Sequence, residues 1–153
     1  MALQQLHHWM QLGNDAWRQG QWARAQDAFT QALHDVWPVW LHTCVLPNSW
    51  VNDDDTLRLP TCCLTVSVRN LACCMQAQGH KRAARALLRQ LQQWFHTALQ
   101  QPDAPSALYA ILLMQQADLA HQLQECLDVM GAESASIRKE SDVLWLTMPS
   151  QLQ

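Results

Sequence analysis

The chain has 153 residues, 49% of them hydrophobic and 15% charged, with a formal net charge of -3 and a pI near 6.1. That length and apolar content suit one domain with a packed core and exclude an intrinsically disordered chain. The charge supplies no global positive field to attract nucleic acid or an anionic membrane. Four glycines set against abundant Ala, Leu and Gln point to an all-α fold.

The first helix is expected over Leu3 to Arg18, where Leu6, Trp9, Met10, Leu12, Gly13 and Trp17 recur at three and four spacing. Gly20 breaks it. A second helix starts near Gln21 and places Trp22, Ala25, Phe29, Ala32 and Leu33 on one face, and Pro38 is expected to stop or kink it. Gly13 reads as a close crossing of two helices, where a side chain would hold them apart. The same grammar returns from Val68, with Leu71-Ala72 in place of Leu12-Gly13, Gly79 seven residues later, and Ala84 and Leu88 at the spacing of Ala25 and Phe29. Helix three is expected at about Pro60 to Gln78 and helix four at about Lys81 to Leu99. A third pair is expected from Pro105 to Gln116 and from Asp118 to Met130, closed by Gly131.

These residues resemble the tetratricopeptide repeat (TPR) family, clearly over about Leu6 to Leu99 and loosely over about Pro105 to Met130. The resemblance implies a TPR-like α-solenoid of about three antiparallel helix pairs occupying 1–131. The C-terminal tail, 132–153, is expected to pack on it, because Val143-Leu144-Trp145-Leu146 is too apolar to leave exposed. From Gly13 to its equivalent Ala72 is 59 positions, against a period of about 34. The difference is an insertion after the first pair, spanning 36–59 and carrying Trp37, Trp40, Trp50 and the run Asp53-Asp54-Asp55. The acidic run reads as a solvated turn. The three tryptophans suit a lid, a packing element or a contact surface.

By the same resemblance, the first helices of the pairs line a concave groove for a peptide or a partner's helix. Carried over residue by residue, that groove is lined by His7, Met10, Asn14, Trp17 and Arg18 in the first pair and by Val66, Arg69, Asn70, Cys73 and Gln76 in the second. Asn14 and Asn70 stand where members that clamp a terminal carboxylate have asparagines. Met10 replaces the clamp's lysine, so a carboxylate clamp is not expected. In size and plan the chain is also similar to the bacterial chaperones that hold secretion translocators before export, although the insertion departs from their regular tandem.

Six cysteines stand at positions 44, 62, 63, 73, 74 and 126. The pairs Cys62-Cys63 and Cys73-Cys74 fall on nearly one helix face, but their eleven-residue separation is about 16 Å of helix, too far to share one metal ion. No nucleophile comes with a recognisable base and orienting acid. Lys81, Arg82, Arg85 and Arg89 read as a solvated strip on helix four. The expectation is therefore a non-enzymatic adaptor or chaperone without catalytic residues, metal or cofactor. It would bind a protein or peptide partner rather than nucleic acid or membrane. The N-terminus lacks a signal-peptide pattern and no apolar run reaches spanning length, so a cytoplasmic location is expected. A cysteine-dependent metal-binding or redox-sensing protein is the alternative. A homodimer through the insert or the tail is a further possibility, because the tryptophans exceed what a small core readily buries.

Overall fold

The computed structural model describes the backbone of residues 2–45 and 53–130, and side chains within 4–45 and 53–124. These residues form five α-helices and no strand: α1 (Ala2–Arg18), α2 (Trp22–Trp40), α3 (Asp54–Ala77), α4 (Lys81–Leu99) and α5 (Ser106–Met130). A π-helical turn, Leu41–Val45, extends α2. Each helix packs on the next in the chain, and α5 also packs on α3.

Two hairpins, α1–α2 and α3–α4, turn in the same way. In the first, the Gly20 N–H donates to the Trp17 carbonyl (3.0 Å) and the Gln21 N–H to the Ala16 carbonyl (2.9 Å). In the second, the Gly79 N–H donates to the Gln76 carbonyl (3.0 Å) and the His80 N–H to the Met75 carbonyl (2.8 Å). Both are glycine-closed Schellman ends, with Gly20 at φ +71 and Gly79 at φ +86, a region that side chains with a Cβ disfavour. The inner faces carry the expected small residues. A Cβ built on Gly13 would lie 2.5 Å from Cε1 of Phe29, and Ala25, Ala32, Ala72 and Ala84 are fully buried.

Three expectations are corrected. Of the stop or kink expected at Pro38, the stop is overturned, because α2 continues to Trp40 with Pro38 inside it. The ring sits on the exposed side of the helix, where water can serve the carbonyl that loses its donor. Leu41 then donates its N–H to the Pro38 and Trp37 carbonyls, and the π-helical turn follows. Second, α3 starts at Asp54 rather than Pro60, which lies inside the helix. Asp53 has the extended backbone of an N-cap, φ -117 and ψ 118, and Asp54 and Asp55 occupy the first turn, favoured there by the helix dipole. Asp53 accepts the Thr56 hydroxyl, and Asp54 takes a bidentate pair of bonds from Arg58 at 2.8 and 2.9 Å. The acidic run is thus a helix start and not a turn. Most of the supposed insertion, 36–59, is lengthening of α2 and α3; residues 46–52 and Trp50 lie outside the described residues.

Third, the expected third pair is one continuous helix, α5. Gln115-Gln116-Ala117-Asp118 contains neither glycine nor proline, so nothing there opposes helix propagation. The described residues therefore comprise two hairpins followed by a single helix. The tail, 132–153, lies outside them.

The core runs through all five helices. Its largest fully buried side chains are Trp40, Trp94, Phe29 and Phe95. Trp37 meets Trp94 with ring centroids 4.2 Å apart, and Trp40 meets Phe95 at 6.0 Å, which joins the end of α2 to the end of α4. Trp40 also donates its indole N–H to Thr61 Oγ1 (3.2 Å), and the Thr61 hydroxyl donates in turn to the Leu57 carbonyl (2.9 Å). The Cys44 thiol donates to the same carbonyl at 3.7 Å. The Trp40, Cys44 and Thr61 polar atoms are thereby partnered in this apolar region, whereas the buried indole N–H of Trp94 has no hydrogen-bond partner.

Candidate functional site

Of the positions singled out on α1 and α3, the structure brings four around one cleft. Asn14 and Trp17 from α1, Asn70 and Cys73 from α3, and Phe29 from α2 line a space of about 250 Å³. The cleft follows from the hairpin geometry. Gly13 lets α2 approach closely, so that the Phe29 ring lies against α1 and also lines the cleft, and α3 supplies Asn70 and Cys73 to the lining. Trp17 is 37% exposed, and its ring leans on Trp22 with centroids 4.6 Å apart. The result is an aromatic floor with amides on both sides, chemistry that suits a peptide backbone beside an apolar side chain.

The other positions divide. Met10 is half-buried between α1 and α3, its sulfur 3.7 Å from the Ser67 hydroxyl that donates to it. His7 and Arg18 are exposed, and Arg18 pairs with Asp15 at 3.4 Å in an open i,i+3 contact. Arg69 is turned toward α5, where its Nε donates to Gln122 Oε1 at 2.7 Å. Gln122, buried, also donates to Cys73 Sγ at 3.8 Å, and Gln115 donates to Cys62 Sγ at 3.6 Å. These contacts advance together along both helices, so α5 runs parallel to α3 and covers one edge of the predicted groove. Val66 and Gln76 lie on α3, the first exposed and the second half-buried.

Trp37 and Trp40, expected on a contact surface, are interior, at 8% and 0% exposure. Of the three roles open to them, packing is the one they fill. A dimer through the insert cannot use either ring without opening the core. Sequence reasoning did not find Gln115 and Gln122, because no local pattern joins residues some fifty positions apart. It also missed a second cleft, of about 270 Å³, on the α1–α2 hairpin; its lining includes Trp9, Leu12, Asp15, Arg24 and Asp27. Leu12, assigned to the buried stripe, is 43% exposed there.

Cys44, Cys62, Cys63, Cys73 and Cys74 are free thiols. Burial pushes the Cys44 thiol up to about 11, partly opposed by its hydrogen bond to Thr61. Burial, with the neighbouring Cys73 thiol adding to it, pushes Cys74 up to about 12, and Cys63 is raised in the same direction by burial and by Cys62. Reactive thiols need the opposite shift. Among the described residues no three His, Cys, Asp or Glu side chains come close enough to hold a metal ion. No helix among them is long and apolar enough to cross a membrane. Comparison with protein-family models, with curated proteins and with solved structures returned no match.

Proposed function

We propose that this chain is a non-enzymatic, TPR-like interaction module, an adaptor or chaperone that holds an extended segment or a helix of a partner protein in the cleft between α1 and α3. The observation that supports this reading is the convergence of Asn14 and Asn70, 56 positions apart in the chain, on one cleft floored by Phe29 and Trp17. Side-chain amides both donate and accept, so a pair of them across a groove can engage the N–H and carbonyl of one extended residue. The ring surface takes that residue's neighbour. In this reading the two glycine-closed hairpins are the first two repeats, α5 is the helix that follows them, and the protein works in the cytoplasm.

The test is a peptide selected by display against the intact chain, measured again on the double variant Asn14→Ala and Asn70→Ala. Loss of hydrogen bonds on both walls is expected to weaken binding by about tenfold or more, with an unchanged thermal midpoint because Asn14 is exposed and Asn70 half-buried. Equal affinity in the variant would remove this cleft as the binding site.

A further inference from the structure

Of the seven large hydrophobic side chains exposed among the described residues, three stand within six positions of α5, the others being Leu12 and Trp17 on α1 and Leu59 and Val66 on α3. On α1 the exposed positions include Gln4, Gln5, His7, His8 and Gln11, and on α4 they include Arg82, Arg89, Gln92, Gln93 and His96. On α5 they include Tyr109, Leu113 and Met114, exposed by 53%, 45% and 63%, with Ala110 and Ala117 completing the row. Asp118 is the one charged residue between Ser106 and Gln124. The opposite face, Leu108, Ile111, Leu112 and Leu119, is buried against the rest of the core. Exposed apolar side chains gathered on one stretch of a helix, opposite its buried face, mark a contact surface.

The chain itself carries a matching segment. After Met130 come twelve residues, 131–142, that include Glu133, Arg138, Lys139, Glu140 and Asp142, and then Val143-Leu144-Trp145-Leu146-Thr147-Met148. Twelve residues reach up to about 40 Å when extended. The return from Met130 to Leu113 along α5 is about 26 Å, so the connection is long enough. The polar composition of 131–142 suits a solvated spacer, and covalent attachment gives the apolar segment a high effective concentration at the α5 face.

We infer that residues 143–148 dock in cis on the outer face of α5, over Tyr109, Leu113 and Met114. This rests on α5 and the chain that follows it, not on the cleft between α1 and α3. A second copy of the chain bound to the same face is the outcome that opposes it.

Hydroxyl-radical footprinting read by mass spectrometry tests the inference on the intact chain, on the variant Leu144→Asp with Trp145→Asp, and on a chain ending at Met130. Modification of Tyr109, Leu113 and Met114 is expected to rise about fivefold or more in both altered chains, the docked fraction being set by a tethered effective concentration. Protection in the intact chain should not change on dilution. Equal modification in all three chains overturns the inference. So does protection that survives the substitutions and fades on dilution, since a second copy then covers the face. Should the shortened chain fail to fold, the full-length double variant carries the comparison alone.

Discussion

Gly13 shows how little freedom single positions have in this chain. Its Cα hydrogen faces the Phe29 ring, three ring carbons of which would lie 2.5 to 2.8 Å from any added Cβ, and Phe29 is itself 2% exposed and cannot swing away. The cysteines are constrained through solvation instead. Cys44 and Cys74 are fully buried, and their neutral forms are favoured in the fold, with values raised from 9.0 to about 11 and about 12. A raised acid of this kind leaves stability intact below the unfolded value. Stability is lost as pH rises, because the unfolded chain releases protons that the folded chain retains. The urea midpoint of the native chain is therefore expected to fall from about pH 8.5 to pH 10, and the double variant Cys44→Ala with Cys74→Ala to fall less over the same window. Parallel pH profiles for the two chains would show that burial of these thiols does not govern the loss.

At the scale of the element, the two hairpins use glycine for different reasons, and substitution separates them. Gly79 has nothing within 4 Å of a built Cβ, so Gly79→Ala is costly only through its φ of +86, about 1–2 kcal/mol. Gly13→Ala gains helix propensity, about 1 kcal/mol, yet forces the Phe29 contact apart, an overpacking cost of about 1–3 kcal/mol. Replacing Phe29 with Leu should relieve Gly13→Ala and leave Gly79→Ala unchanged. Denaturant midpoints of the single and paired variants measure this directly, and equal relief of both would mean the two costs share a cause. The hairpin ends were legible because Gly20 and Gly79 each follow the small residue at the helix crossing by seven positions, and a left-handed cap demands glycine locally. The starts and stops around Pro38, Pro60 and Ala117 were not. A proline turned to solvent and one buried inside a long helix look alike in sequence, and which carbonyl loses its donor to water depends on packing.

Across the whole molecule, the aromatic junction of Trp37, Trp40, Trp94 and Phe95 ties the first hairpin to the second. Trp40→Ala removes a fully buried ring and the donor to Thr61, a loss of about 3–5 kcal/mol, and should lower the stability of both hairpins in one transition. Hydrogen exchange of α1 and of α4 reads this out; acceleration confined to the α2–α3 contact would show that the hairpins are stable separately. Part of this junction was visible beforehand, since the tryptophans of 36–59 offered a packing element among the roles open to them. Their interior position was not visible, because it depends on Trp94 and Phe95 more than fifty residues away.

Local chemistry in the chain dictated the helical class, the three- and four-residue spacing of small and apolar residues along α1 and α2, and the two glycine turns, for each of these is a property of residues within one or two turns of each other. The groove positions on α1 and α3 could be named only through a likeness between two stretches of sequence. Packing alone decided that Asn14, Trp17, Asn70 and Cys73 share a cleft while Arg69 turns to α5, that the two tryptophans of α2 are core, and that α5 is one helix with an apolar outer face. Those outcomes depend on which helix lies beside which, and contacts between residues fifty positions apart leave no periodic trace in the chain.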